Sequence, residues 1–124
     1  MKPINNPSEK LIIALDGLDR KNVLILLKKI PDLIWVKVGL ELFVSEGPDV
    51  LSLLKDEGKK IFLDLKFHDI PTTVSRACFA AAQTGAEFIS LHTCAGEKAL
   101  KMANEAAKEG AAKINSTPPK LLGI

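Results

Sequence analysis

Two carboxylates, an ammonium and an imidazole fall within the six positions Asp64-Leu65-Lys66-Phe67-His68-Asp69, directly after the apolar Ile61-Phe62-Leu63. Asp16 closes an earlier apolar run, Leu11–Asp16, and Lys37 interrupts another, Trp35–Leu40. If these segments are neighbouring strands, Asp16, Lys37, Asp64 and Lys66 form an array of alternating sign. Isolated charges there would each cost on the order of several kcal/mol of desolvation, so only mutual pairing makes them tolerable. A polar plug that merely fills the end of a sheet is the structural alternative. A lysine flanked by carboxylates keeps its proton and can act as a general acid towards a carbanion, or stabilise an anionic intermediate. Schiff-base chemistry needs the opposite, and the flanking carboxylates oppose it. The pattern points to cofactor-independent chemistry at a carbon acid: decarboxylation, isomerisation or aldol cleavage. There is no Gly-rich loop of P-loop or dinucleotide type, no nucleophile elbow and no His/Cys set spaced for zinc. His68 and His92 have no Ser or Cys partner nearby in sequence and read as hydrogen-bonding rim residues. Trp35 reads as core, and Glu41 as rim or surface.

Composition narrows the setting. The 124 residues are enough for one domain with a real core, and 47% hydrophobic with 26% charged residues is globular. A net charge of +2 with no basic cluster gives no reason to expect nucleic acid or anionic lipid. Met1–Lys10 is polar and carries Pro3 and Pro7, unlike a secretory signal, and no apolar run approaches the roughly 18 residues of a membrane span. Cys78 and Cys94 read as reduced thiols of a cytoplasmic protein.

The elements that must position the charges alternate in type. Leu11–Asp16, Trp35–Leu40, Lys60–Lys66 and Glu87–His92 are strands, and Lys120–Ile124 is a fifth that stops short. Between them the spacing predicts a helix capped by Asp19 and running to about Ile30. A second opens at Gly47-Pro48 and runs to about Glu57; a third, Val74–Gln83, has a threonine cap after Pro71; a fourth runs from about Glu97 to Glu109. The order βαβαβαβαβ implies a parallel sheet with right-handed crossovers, either an open doubly wound sheet or part of a (β/α)8 TIM barrel. Side-chain parity separates the two. Leu11, Ile13 and Leu15, then Val36, Val38 and Leu40, then Ile61, Leu63 and Leu65, then Ile89 and Leu91 make one aliphatic face per strand. The other faces turn polar towards their C-terminal ends. An open sheet covered on both sides would be apolar on both, whereas a barrel with its site at the C-terminal rim shows this asymmetry. The expected fold is α/β, with residues 1–124 as a single incomplete TIM-barrel domain supplying about four βα units and the start of strand five.

The stretch Asp64-Leu65-Lys66-Phe67-His68-Asp69-Ile70-Pro71-Thr72-Thr73 closely resembles the signature of the orotidine 5′-phosphate decarboxylase family. Its companions agree in order: Ala14-Leu15-Asp16, Val36-Lys37-Val38-Gly39 and His92. The wider superfamily shares only D-x-K-x-x-D, and the F-H-D-I-P continuation is what singles out the nucleotide enzyme. The resemblance implies decarboxylation of orotidine 5′-monophosphate to UMP, in pyrimidine biosynthesis, with no cofactor and no metal. Position by position it implies that Lys66 protonates C6 of the pyrimidine and that Asp64 sits beside the departing carboxylate. Lys37 would pair with Asp64 and contact the ribose, and Asp16 would bind a ribose hydroxyl. Asp69 and Thr73 would reach the active site of a neighbouring subunit, making the expected assembly a homodimer. Thr72 departs from the asparagine usual at its position.

The family barrel has eight strands, and the resemblance places the loops that grip the substrate phosphate beyond the fifth. The expectation for these residues alone is therefore no activity, with association or poor stability from open sheet edges. The rival readings are another superfamily enzyme of the 3-keto-gulonate-phosphate decarboxylase or hexulose-phosphate synthase type, which would bring magnesium, and a non-enzymatic half-barrel.

Overall fold

The computed structural model describes residues 6–124, so the first half of the polar Met1–Lys10 stretch lies outside the described residues. Strands and α-helices follow the expected order with one helix more than expected. They are β1 (Ile12–Ala14), α1 (Arg20–Lys29), β2 (Trp35–Gly39), α2 (Leu40–Glu46), α3 (Asp49–Asp56), β3 (Lys60–Phe67), α4 (Pro71–Ala82), β4 (Phe88–Leu91), α5 (Glu97–Lys113) and β5 (Lys120–Gly123). The chain divides into two compact units, Met1–Ile61 and Phe62–Ile124, with the boundary inside β3.

In the first unit β1 and β2 pair in parallel, Ala14 opposite Lys37, and the ladder continues as Leu15 N–H donates to the Lys37 carbonyl at 3.0 Å. Leu15, Val36 and Val38 are buried, together with Val23 and Leu27 of α1 and Val50, Leu51 and Leu54 of α3. The Asp19 cap is present: its carboxylate accepts the Asn22 N–H at 2.8 Å. Trp35 is half-buried, with the Lys60 ammonium 5.5 Å from its ring centre.

One element was not expected. Strand β2 ends at Gly39, and Leu40, assigned to the aliphatic face of the strand, instead begins α2 and is exposed. This helix has seven residues and one buried side chain, Leu42, so its sequence carries no amphipathic stripe to betray it. Gly47, expected to open the next helix, first closes this one. At φ +70° it serves as the C-terminal cap, and its N–H reaches the Phe43 carbonyl at 2.8 Å.

In the second unit β3, β4 and β5 pair in parallel in chain order. Helices α4 and α5 pack on each other and on the strands through Val74, Cys78, Leu91 and Ala103, with a second cluster at Ala82, Ala107 and Ala111. Two helix boundaries differ from expectation. Helix α4 begins at Pro71, with Ile70 in the cap position and no side-chain cap, because proline is preorganised for the first helical position and its missing N–H would have had no helical partner there. Helix α5 runs through Gly110 to Lys113. Gly110 is buried against α4, where a Cβ would collide with the Phe79 carbonyl oxygen, so this glycine serves close packing rather than termination. No helix among the described residues is long and apolar enough to cross a membrane.

Candidate active site

The charged residues form two close ion pairs, one in each unit. In the first, Lys37 Nζ donates to Asp16 Oδ2 at 3.3 Å. Asp16 is half exposed, so the pair contributes at most about 1 kcal/mol to stability. Its geometry is nevertheless built in: a Cβ at Gly39 would lie 2.6 Å from Asp16 Oδ1 and 3.8 Å from Lys37 Nζ. The absent side chain of Gly39 is the space the Asp16 carboxylate occupies.

In the second unit Lys66 Nζ donates to Asp64 Oδ2 at 2.9 Å. Asp64 is buried and Lys66 is partly open to solvent, so the pair combines a desolvated anion with an accessible proton donor. A buried carboxylate is tolerable only when its oxygens are satisfied. The other oxygen, Oδ1, accepts the hydroxyl of Ser90 at 2.7 Å.

The backbone here departs from a regular strand. Phe62 and Leu63 stand opposite Phe88 and Ile89, but the next registered pair is Phe67 with Leu91. Four steps along β3 are thus matched by two along β4, and the excess falls on Asp64–Lys66. Lys66 lies in the left-handed region at φ +49°, which costs a residue with a side chain about 1–2 kcal/mol. The irregularity turns the Lys66 N–H away from the ladder, and Ser90 Oγ accepts it at 3.0 Å. Regular pairing resumes where His92 N–H donates to the Phe67 carbonyl at 2.9 Å. Strand alternation predicted a shared face for Asp64 and Lys66, but it gave no sign of the bulge or of Ser90. The signal available in the sequence was a serine on the polar face of strand four, two residues before His92.

Asp69 and Thr73 lie apart from this pair, exposed, in the loop after β3 and the first turn of α4. Asp69 Oδ1 accepts the Ile70 N–H at 2.6 Å. With His68, Ile70, Pro71, Cys94 and Ala95, Asp69 borders an open depression of about 590 Å³.

The fold also gathers donors that are scattered in sequence. His68, His92 and Cys94 each offer a ligand atom within 4.8 Å of the others. His68 Nε2 and Cys94 Sγ share a hydrogen bond of 3.7 Å, and the two imidazoles are 5.1 Å apart. Among the described residues no protein group hydrogen-bonds His68 Nδ1 or either ring nitrogen of His92, a support metal-binding imidazoles almost always have. The thiol–imidazole contact holds the trio together and gives His68 the cysteine neighbour that the sequence did not reveal.

Comparison with known proteins assigns the chain to a family. Residues 9–124 match the model of the "Orotidine 5′-phosphate decarboxylase / HUMPS family". A relative named orotidine 5′-phosphate decarboxylase, from Prochlorococcus marinus (strain NATL2A), is 82% identical over 124 residues, all of this chain and 52% of its own length. Among solved structures, the orotidine 5′-phosphate decarboxylase of Lactobacillus acidophilus superposes with a TM-score of 0.81 at 39% identity, over 91% of this chain and 51% of that one. The orotidine 5′-monophosphate decarboxylase of Methanocaldococcus jannaschii, complexed with the inhibitor BMP, gives 0.76 at 30% identity, over 91% of this chain and 50% of that one. The chain spans about half the length of the curated relatives it matches. These likenesses agree with the α/β reading and with the barrel assignment over that portion.

Proposed function

Since this chain belongs to the orotidine 5′-phosphate decarboxylase / HUMPS family, we propose that it carries the proton-donating array for decarboxylation of orotidine 5′-monophosphate to UMP. The observation that carries the reading is the contact of Lys66 Nζ with the buried Asp64 carboxylate. The bond from C6 to the carboxylate breaks, CO₂ leaves, and the electron pair remains on C6. Lys66 then delivers an ammonium proton to C6 and is reprotonated from solvent. Asp64, fixed before substrate arrives, is part of a preorganised field that need not reorganise as charge develops. No step calls on a cofactor.

The remaining roles follow the family resemblance. Lys37 contacts the ribose, and Asp16 binds a ribose hydroxyl. Asp69 and Thr73 act in the site of a second subunit, so the working assembly is a homodimer; their exposure supports this. Two thiols without a disulfide suit a cytoplasmic setting.

The alternative within the family is a phosphate-sugar decarboxylase or synthase that needs magnesium. The 82% identical relative and the F-H-D-I-P continuation favour the nucleotide reaction. The test is a chimera in which these 124 residues replace the matching stretch of the Prochlorococcus marinus NATL2A relative. It is expected to form UMP from orotidine 5′-monophosphate in the presence of EDTA, and Lys66→Met should lower kcat by at least about 10²-fold. The 124 residues alone are expected to form none, because in the family the phosphate grip supplies remote binding energy. A chimera that folds but acts only with magnesium on a phosphate sugar would overturn the assignment.

A further inference from the structure

Ser90 has no role in the chemistry described so far, yet it is fully buried and its hydroxyl is engaged on both sides. It donates to Asp64 Oδ1 at 2.7 Å and accepts the Lys66 N–H at 3.0 Å. One side chain on β4 thus fixes both members of the Asp64–Lys66 pair, one through its carboxylate and the other through its backbone. We propose that Ser90 is a positioning residue that sets the separation and orientation of the Asp64 carboxylate and the Lys66 ammonium.

Asp64 can turn about its terminal torsion, and the hydroxyl on Oδ1 leaves Oδ2 facing Lys66 Nζ. Lys66 sits in a backbone conformation that disfavours a side chain, and the bulge removes its N–H from the strand ladder. A buried N–H without an acceptor would be left desolvated and unpaired, which disfavours the conformation that strands it. By accepting it, Ser90 makes the bulged conformation the satisfied one, and so fixes where the lysine side chain departs from the strand. A regular strand at this point would keep Lys66 in the ladder and at negative φ. Because Ser90 is inaccessible, it acts through these two residues and not on a ligand.

The inference rests on the reading of Asp64 and Lys66 as the reacting pair, and its test separates the two claims. In the 124-residue chain, Ser90→Ala should speed amide hydrogen exchange at Lys66. It should also make the Asp64 carboxyl carbon titrate at higher pH than in the parent, because the charged form loses a donor. In the chimera, Ser90→Ala should lower kcat about tenfold to a hundredfold with KM within about threefold, since misplacement of reacting groups acts on the chemical step. Ser90→Thr, which keeps the hydroxyl, should recover most of the loss. A purely structural role would lower the melting midpoint and leave kcat per folded molecule unchanged. Parental kcat in a folded Ser90→Ala chimera, or an unchanged Asp64 titration in the chain, would overturn the proposal. A chimera inactive with Ser90 in place would defeat the functional reading, while the exchange and titration would still decide what Ser90 holds.

Discussion

Lys66 donates to Asp64 from only two residues away on the same strand, and it does so from a left-handed backbone, at φ +49°. Strands reach their highest stability with β-branched or aromatic residues and are weakened by glycine. At this position the order should invert among residues that lack the ammonium. Lys66→Gly and Lys66→Ala both remove the ion pair, but only glycine adopts positive φ without a steric cost. Lys66→Gly is expected to be more stable than Lys66→Ala by about 1 kcal/mol, read from urea unfolding followed by far-UV circular dichroism. An alanine variant as stable as the glycine variant would mean that the bulge relaxes once the lysine is gone.

The Asp16–Lys37 pair allows a separate prediction, because Gly39 leaves the space that the Asp16 carboxylate fills. In Gly39→Ala the obstacle is the end of a short side chain, so the carboxylate moves before the backbone does. Stability should change by less than about 1 kcal/mol, as for other exposed ion pairs. If Asp16 holds a ribose hydroxyl, KM for orotidine 5′-monophosphate in the chimera should rise about tenfold, the scale of a lost charge-assisted hydrogen bond. Steady-state kinetics would show this as a KM effect with kcat little changed, and a pure kcat effect would place Asp16 elsewhere in the reaction.

Gly110 reverses a rule that holds on exposed helix surfaces. Replacing glycine by alanine inside a helix ordinarily gains about 1 kcal/mol. Here the new Cβ would meet the Phe79 carbonyl oxygen and lie 3.1 Å from the Ala82 Cβ, so α4 and α5 would have to separate. Overpacking of this kind costs about 1–3 kcal/mol, and set against the propensity gain of about 1 kcal/mol it makes Gly110→Ala a net loss of up to about 2 kcal/mol. Ala112→Gly, at an exposed position of the same helix, serves as the control and should cost about 1 kcal/mol for the ordinary reason. Thermal unfolding of the two variants beside the parent decides it.

These three sites also mark how far the sequence could be read. Strand–helix alternation was legible because period-2 and period-3.6 patterns are local, and of the aliphatic faces Leu15, Val36, Val38, Ile61, Leu63, Ile89 and Leu91 are buried, whereas Leu11 and Leu40, which fall outside the strands, are exposed. The Asp–Lys composition of the site was legible because charges in apolar strands are conspicuous. Helix α2 was not, since a single buried leucine makes no pattern. The continuation of α5 through Gly110 was not legible either, because a close approach between helices leaves no mark on either one alone. The bulge and Ser90 were hidden for a similar reason: a serine on a strand carries no sign of the two groups, 24 and 26 residues earlier, that its hydroxyl joins.

The last prediction concerns a group remote from the chemistry. Cys78 is fully buried on α4 against Val74, Leu91 and Ala103, and burial pushes its thiol up from the usual 9.0 to about 11. The folded chain therefore keeps this proton to higher pH than the unfolded chain, whose thiol ionises near its ordinary value. The corresponding stability is complete below about pH 9 and is lost progressively as pH rises towards about 11. In Cys78→Ala that linkage is absent, and the cost of the smaller side chain does not depend on pH. The difference in melting midpoint between parent and Cys78→Ala should hold steady below pH 9 and narrow between pH 9 and 11. Lysines titrate in the same range in both proteins, so the difference isolates the thiol. Ellman's reagent at pH 8 should label the exposed Cys94 quickly and Cys78 only on unfolding. A constant difference across the window, or rapid labelling of two thiols in the native chain, would show that Cys78 is not held in the apolar layer between α4, α5 and β4.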